Sequence, residues 1–391
     1  MIKVGLVGIG GYAGMYVRNL LELQQSGKCC LAAAAVRPKD DIPEVSARLR
    51  SEGVRIYPGA LEMMEAEKEL DLVALPVGIG SHCPLTLEAL KRRSNVLVEK
   101  PAAGSVAEIR QMMAAENGSP GFAAVGFQHL YMDSTMDLKK ILLSGKYGAV
   151  KKIAVIGIAP RADVYYNRNE WVCRMKGPSG EMICVSPINN AFAHYLNLAL
   201  FWAGSTPESS ARIRALNGEL YRARRSIETF DSCAVRFYTE NDVEILTLFA
   251  HTSDQTVDQT LRLECEKGTV LWNVSGSWVI RDPEGNICEE SSKPVLTAQQ
   301  EMFRNVLGAV AGEKKFLCSL HNALEHTYCI EKLHEHFTVH CIPDEYISIR
   351  ESDGLHIVKE LAEDFTDAFR KNLLLGENGV PWAQEAKTVY L

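Results

Sequence analysis

The absences in this sequence narrow its class before any motif is read. There is no C-x-x-C pair among the 11 cysteines, which are scattered, odd in number and set mostly inside apolar strand or helix patterns. Such thiols read as small core hydrophobes of a reducing compartment, so the cytoplasm is the expected location. No apolar run is long enough to span a bilayer, and Ile2-Lys3-Val4-Gly5-Leu6-Val7 reads as a buried strand, not as a targeting segment. Blocks of basic residues are missing too; Lys91-Arg92-Arg93 closes a helix, where cations suit the dipole. With 42 basic against 49 acidic residues and a net charge of −7, neither nucleic acid nor a membrane surface is an expected partner. Internal repeats and low-complexity stretches are also absent.

What remains is an ordinary globular composition, 47% apolar and 23% charged, over 391 residues, a length that favours two domains. In the first third, apolar strands at 3–7, 30–36, 71–76, 95–98 and 122–127 alternate with amphipathic helices such as 83–92 and 106–115. Near-continuous apolar strands separated by helices predict a parallel sheet covered on both faces. The pattern then changes. A helix at 132–143, a strand at 152–158 and a helix at 191–203 precede alternating strands at 211–216, 232–238, 244–251, 260–266 and 269–274. Helices are predicted again at 298–310, 322–337 and 354–374. The second domain is therefore expected to be α+β with a large open antiparallel sheet.

Gly8-Ile9-Gly10-Gly11-Tyr12-Ala13 is a G-x-G-x-x-A turn between the first strand and first helix. Gly8 permits the tight turn, Gly10 lets a pyrophosphate approach the backbone, and Ala13 allows close helix packing. The helix N-terminus supplies free N–H groups and the positive end of its dipole. After the second strand an acidic residue usually receives the ribose of NAD, yet here the chain reads Val36-Arg37-Pro38. Arg37 as a partner for a 2′-phosphate favours NADP over NAD by a small margin; otherwise it stacks on adenine or faces solvent.

The fifth strand ends in Glu99-Lys100-Pro101. Strand ends of this kind face the ligand crevice of an open α/β sheet, and a lysine there can hold a substrate hydroxyl or developing oxyanion. Taken alone, the tripeptide also fits a surface turn.

Together these features resemble the glucose–fructose oxidoreductase, inositol dehydrogenase and rhizopine catabolism (Gfo/Idh/MocA) family. The resemblance implies an N-terminal Rossmann domain over residues 1–127 and a C-terminal α+β substrate and oligomerisation domain over 128–391. It implies cofactor contacts from Gly8, Gly10, Gly11, Tyr12, Ala13, Arg37, Pro76, His82, Glu99 and Lys100. His82 either contacts nicotinamide or ribose or caps its helix. Family members open a later helix with Asp-x-x-x-His; Asn190 stands here in the Asp position and His194 matches the His. Four apart on one helix, the two would share a face, but an amide cannot raise the histidine pKa as a carboxylate does. The resemblance thus implies Lys100 and His194 as the catalytic pair, Asn190 as a substrate ligand, and Gln128-His129 as further ligand contacts.

Arg161, Tyr165, Tyr166, Arg168 and Trp171 crowd the segment before that helix. The mixture suits a polyhydroxylated ligand, and equally an arm packed on another subunit. His336 and His340 have zinc-like spacing, but 326–337 reads as an amphipathic helix, and no metal is expected. The implied activity is hydride transfer between NAD or NADP and a carbinol carbon of a sugar, cyclitol or derivative, in a homo-oligomer (dimer or tetramer). Two other readings stay open: redox-assisted glycosidase or lyase chemistry on a retained nicotinamide, and a dinucleotide-binding regulator without turnover.

Overall fold

Six short strands carry the apolar runs of the first third. In the computed structural model, which describes residues 1–391, they are β1 (Ile2–Val7), β2 (Cys29–Ala35), β3 (Arg55–Tyr57), β4 (Leu72–Leu75), β5 (Asn95–Val98) and β6 (Ala123–Val125). All pair in parallel, in the order β3-β2-β1-β4-β5-β6. Parallel neighbours need crossovers, supplied by α1 (Ala13–Gln25), α2 (Pro43–Ser51), α3 (Ala60–Ala66), α4 (His82–Lys91) and α5 (Val106–Asn117). Burial of Val4, Leu6, Leu72–Leu75 and Val96–Val98 is complete or nearly so, as a sheet covered on both faces requires.

The chain divides into two compact units, Met1–Tyr131 with Leu296–Leu324, and Met132–Val295 with Glu325–Leu391. Residues 296–324, expected in the second domain, therefore return to the first. Thr297 and Gln300 form a capping box that starts the helix Ala298–Val310 in this segment. Phe303 of that helix packs edge-on against Tyr16 at 5.1 Å, and the Val125 N–H donates to the Cys318 carbonyl at 2.8 Å.

The second unit is built on ten strands: β7 (Val150–Ile158), β8 (Ile213–Arg222), β9 (Ser232–Thr239), β10 (Glu244–Ala250), β11 (Val257–Cys265), β12 (Gly268–Asn273), β13 (Trp278–Arg281), β14 (Ile287–Glu290), β15 (Val339–Cys341) and, after the hairpin β16 (Ile347–Arg350)–β17 (Leu355–Val358), the terminal β18 (Val389–Tyr390). The main path is β14-β13-β12-β11-β7-β10-β9-β8-β15, with β18 on β8. The expected antiparallel sheet is in fact mixed. Most pairs are antiparallel, but β7 and β10 run parallel through seven residue pairs, Lys152↔Glu244 to Ile158↔Ala250, and β15 runs parallel to β8.

The helices of this unit include α6 (Asp133–Leu143), the short α7 (Asp163–Tyr166) and α8 (Ala193–Ala203). After α9 (Ala298–Val310) and α10 (Leu320–His336) comes α11 (Leu361–Lys371). Every residue of α8 is buried, so it is a core helix and not a surface one. Its C-terminal carbonyls are met by the buried Lys139 ammonium, which donates to Phe201 O, to Gly204 O at 2.6 Å and to Ser209 O at 3.3 Å. The helix expected over 354–374 is corrected to a strand and a shorter helix. Residues 355–358 pair with 347–350, Glu360 turns the chain at φ +59°, and α11 then buries Leu361, Ala362, Phe365 and Ala368. No helix of the chain is long and apolar enough to cross a membrane.

Candidate active site

In the first unit the glycine turn adopts the backbone that its sequence demands. Gly8 and Gly11 have φ of +93° and +55°, where a side chain is strained. A Cβ on Gly10 would meet only Ile42 Cδ1, at 3.3 Å, and one on Gly11 would meet nothing within 4 Å. No side chain caps α1; its first N–H groups, those of Ala13, Gly14 and Met15, donate to the Gly10, Gly11 and Tyr12 carbonyls at 3.1, 3.2 and 3.0 Å, and the space beside Gly11 stays open for a close backbone approach. These are the requirements of a bound pyrophosphate. Ala13 is buried where α1 meets the sheet, and the Pro76 carbonyl lies 3.8 Å from a Cβ built on Gly8. Arg37 is exposed and ion-paired with Asp40, so its charge is already partnered.

At the end of β5, Lys100 is half-buried and the Lys100–Pro101 peptide is cis. Glu99 turns inward. It accepts from the Tyr16 hydroxyl at 2.7 Å and from the Lys100 N–H at 3.0 Å, while burial raises its pKa against the opposing pull of the Lys100 charge. His82 is 1% exposed and both its ring nitrogens lie on carbonyls, Nδ1 on Pro101 O at 2.8 Å and Nε2 on Val77 O at 3.0 Å. Through these two contacts His82 links the loop after β4 to the Lys100-Pro101 turn. Gln128 lies beside the glycine turn, accepting from the Tyr12 hydroxyl at 3.0 Å. His129 is buried, which pushes its pKa down to about 4 and keeps it neutral.

In the second unit a separate set converges. Tyr165 and Tyr166 meet edge-to-face at 5.2 Å. Tyr166 carries the Arg224 guanidinium on its ring at 4.3 Å, and that guanidinium pairs with Asp163 at 2.6 Å. Tyr165 is the hub: Arg161 and Arg168 lie over its ring at 5.1 and 4.2 Å, and Asn190 Nδ2 donates to its hydroxyl at 3.4 Å. Trp171 holds Arg168 from another side at 5.4 Å. His194 is buried in the first turn of α8. The expected i, i+4 helical relation of Asn190 to His194 is not formed, because α8 begins at Ala193 and Asn190 sits in the turn before it.

Sequence reasoning missed two residues. Tyr16 reads as one more apolar position of α1, yet it anchors Glu99. His251, just past β10, reads as core, yet its ring lies 5.7 Å from Tyr165 and stacks on Phe192 at 5.4 Å. The histidines near the C-terminus are dispersed: α10 ends at His336, His340 lies on β15, and His334 packs on Phe230 at 5.5 Å.

A parallel sheet ordered β3-β2-β1-β4-β5-β6, with a glycine-lined first turn, defines a dinucleotide-binding Rossmann domain. Residues 2–127 match the GFO_IDH_MocA oxidoreductase family in its NAD-binding Rossmann fold. The inositol 2-dehydrogenase of Rubrobacter xylanophilus is 29% identical over 149 residues, which is 38% of this chain and 41% of that enzyme. Inositol 2-dehydrogenase 2 of Saccharopolyspora erythraea is 26% identical over 148 residues, 38% of this chain and 42% of the relative. The matched segment thus spans about two fifths of each relative. Both units share their fold with the WlbA dehydrogenase of Bordetella pertussis, solved with NADH and UDP-GlcNAcA (TM-score 0.70, 20% identity, 85% of this chain and 95% of that one). An oxidoreductase of Agrobacterium radiobacter, solved with NAD+, L-tartaric acid and magnesium, has a TM-score of 0.68 at 16% identity, over 85% and 95% of the two chains.

Proposed function

We propose that this chain is an NAD-dependent oxidoreductase that moves a hydride to and from a carbinol carbon of a sugar, cyclitol or derivative. The observation that carries the reading is the open glycine cradle at the first turn of a family-matched Rossmann sheet. The inositol dehydrogenases and the sugar-nucleotide dehydrogenase named above support the substrate class. When bound, the nicotinamide supplies a hydride acceptor.

Gly8, Gly10, Gly11, Tyr12 and Ala13 hold its phosphates, with Pro76 and the Glu99-Lys100 turn completing that side. Lys100 donates to the substrate oxygen and steadies its charge as the proton leaves. His194 takes the proton, a task suited to an imidazole because its pKa lies near working pH. Asn190, Gln128, His129, Tyr165, Tyr166 and Trp171 orient the substrate. NAD is preferred over NADP in this reading, because Asp40 already holds Arg37; the small margin for NADP read from Arg37 alone is given up. A cytoplasmic dimer or tetramer completes the proposal, with light scattering as its check.

Purified protein should reduce NAD with at least one member of a panel of sugars, cyclitols, sugar acids and nucleotide sugars. Gly10→Val should abolish NADH binding, followed by NADH fluorescence, with circular dichroism unchanged. Retained NADH affinity in the folded variant overturns the cofactor site. Product formed with no net change in NADH replaces net oxidation by redox-neutral lyase chemistry, and cofactor binding without turnover of any substrate makes the chain a regulator.

A further inference from the structure

Arg161 and Arg168, both in the second unit, have no counter-charge within ion-pair distance. Neighbouring arginines are matched, Arg174 by Glu228 at 2.9 Å and Arg224 by Asp163 at 2.6 Å. Arg161 and Arg168 pair with no carboxylate. The Nε of Arg161 is buried without a partner, and its one side-chain hydrogen bond is a long one, from Nη1 to Pro160 O at 3.4 Å. A guanidinium cannot shed its proton, so both charges persist at every working pH.

Both guanidiniums rest on the same Tyr165 ring, which offers its electron-rich face but no negative charge. The third polar group at this ring adds none either. His251 is 1% exposed, its Nδ1 donates to Ala159 O at 2.8 Å, and its buried Nε2 is a bare acceptor. Burial and the two nearby guanidiniums push its pKa down to about 3, so the ring stays neutral. The backbone fixes the arrangement, since the Arg161 N–H donates to the His251 carbonyl at 3.0 Å. Like charges gathered on one aromatic hub repel each other, and an anion between or beside them relieves that cost. The planar fork of arginine matches the paired oxygens of a carboxylate or phosphate.

We propose that Arg161 and Arg168 clamp an anionic group of the substrate, so that this chain acts on an acid derivative of a sugar or polyol in preference to the neutral parent. The proposal rests on the oxidoreductase reading only for calling the bound anion a substrate. Carboxylate and phosphate share the required chemistry, and the choice of probes separates them.

The test uses the full-length protein with NAD and four probes: D-gluconate, D-glucuronate, D-glucose 6-phosphate and D-glucose. Binding is measured by calorimetry and turnover by NADH absorbance. At least one anionic probe should bind more tightly than glucose by about tenfold or more. Arg161→Met and Arg168→Met should each lower that preference by about ten- to hundredfold, the loss of a charge-assisted contact. Arg168→Lys should restore part of it, since it returns the charge without the fork. A carboxylate preference and a phosphate preference both support the clamp and say which anion it takes. Equal binding of all four probes, no saturable binding of any anion, or an unchanged preference in both folded methionine variants overturns it. Saturable anion binding without NAD reduction upholds the clamp and sinks the oxidoreductase reading, whereas efficient oxidation of glucose and acids alike does the reverse.

Discussion

The Tyr16 hydroxyl donates to the Glu99 carboxyl at 2.7 Å inside the first unit, tying the first turn of α1 to the residue before Lys100. Tyr16→Phe keeps the ring packed on Phe303 and removes only the donor, leaving a buried carboxyl oxygen short of a partner. A loss of about 1–3 kcal/mol in unfolding free energy is expected, measured by urea denaturation. An unchanged midpoint would show that the bond contributes nothing net.

The Arg37–Asp40 pair sets an expectation for cofactor choice. Freed by Asp40→Ala, Arg37 gains access to a 2′-phosphate while a repelling carboxylate disappears, so affinity for NADPH should rise relative to NADH. Dissociation constants for both cofactors, before and after the change, decide the matter. A wild type that already prefers NADPH would restore the margin read from Arg37 alone.

Lys100→Met and His194→Ala should each slow hydride transfer by about 10²–10⁴-fold, with NADH affinity largely kept. The double variant should lose far less than the product of the two, since groups acting on one oxygen work as a unit. Single-turnover absorbance is the measurement. Near-normal rates in His194→Ala across the pH range would pass the proton to His129 or a tyrosine.

Glu219 provides the pH prediction. It is buried, accepts from the Leu375 and Gly376 N–H groups at 3.1 Å each, and burial pushes its pKa up to about 7. An unfolded glutamate titrates near 4.3, so the native chain holds this proton more tightly than the unfolded one. Its contribution is therefore full below about pH 4 and is lost as pH rises through about 7. Other buried acids titrate in the same window, so the comparison with Glu219→Gln isolates this one. The variant should show a shallower decline in urea midpoint from pH 5 to 8; an identical slope would refute the assignment.

Much of this was legible in the chain. Apolar strands and the glycine turn announce themselves because local backbone needs fix their residue types. The hairpin at 347–358 did not, because Leu355–Val358 is short and its apolar residues also fit the helical period that follows. His251 was invisible for a different reason. Its value comes from Tyr165, Arg161 and Phe192, which meet it only through the pairing of β7 with β10, about ninety positions apart in sequence. The β7–β10 pair also carries no sign of its direction, since a buried strand reads alike in parallel and antiparallel company.

The return of Leu296–Leu324 to the first unit governs how the molecule is made. On the ribosome, the N-terminal sheet emerges long before the segment that supplies the Phe303 ring to Tyr16 and the Cys318 carbonyl to Val125. The first unit therefore waits, incomplete, while eight of the ten strands of the second sheet, β7 to β14, are being synthesised. A fragment ending at residue 131 would inherit the glycine turn without the helix that closes over its neighbours, so the two units cannot be parted by one cut in the gene.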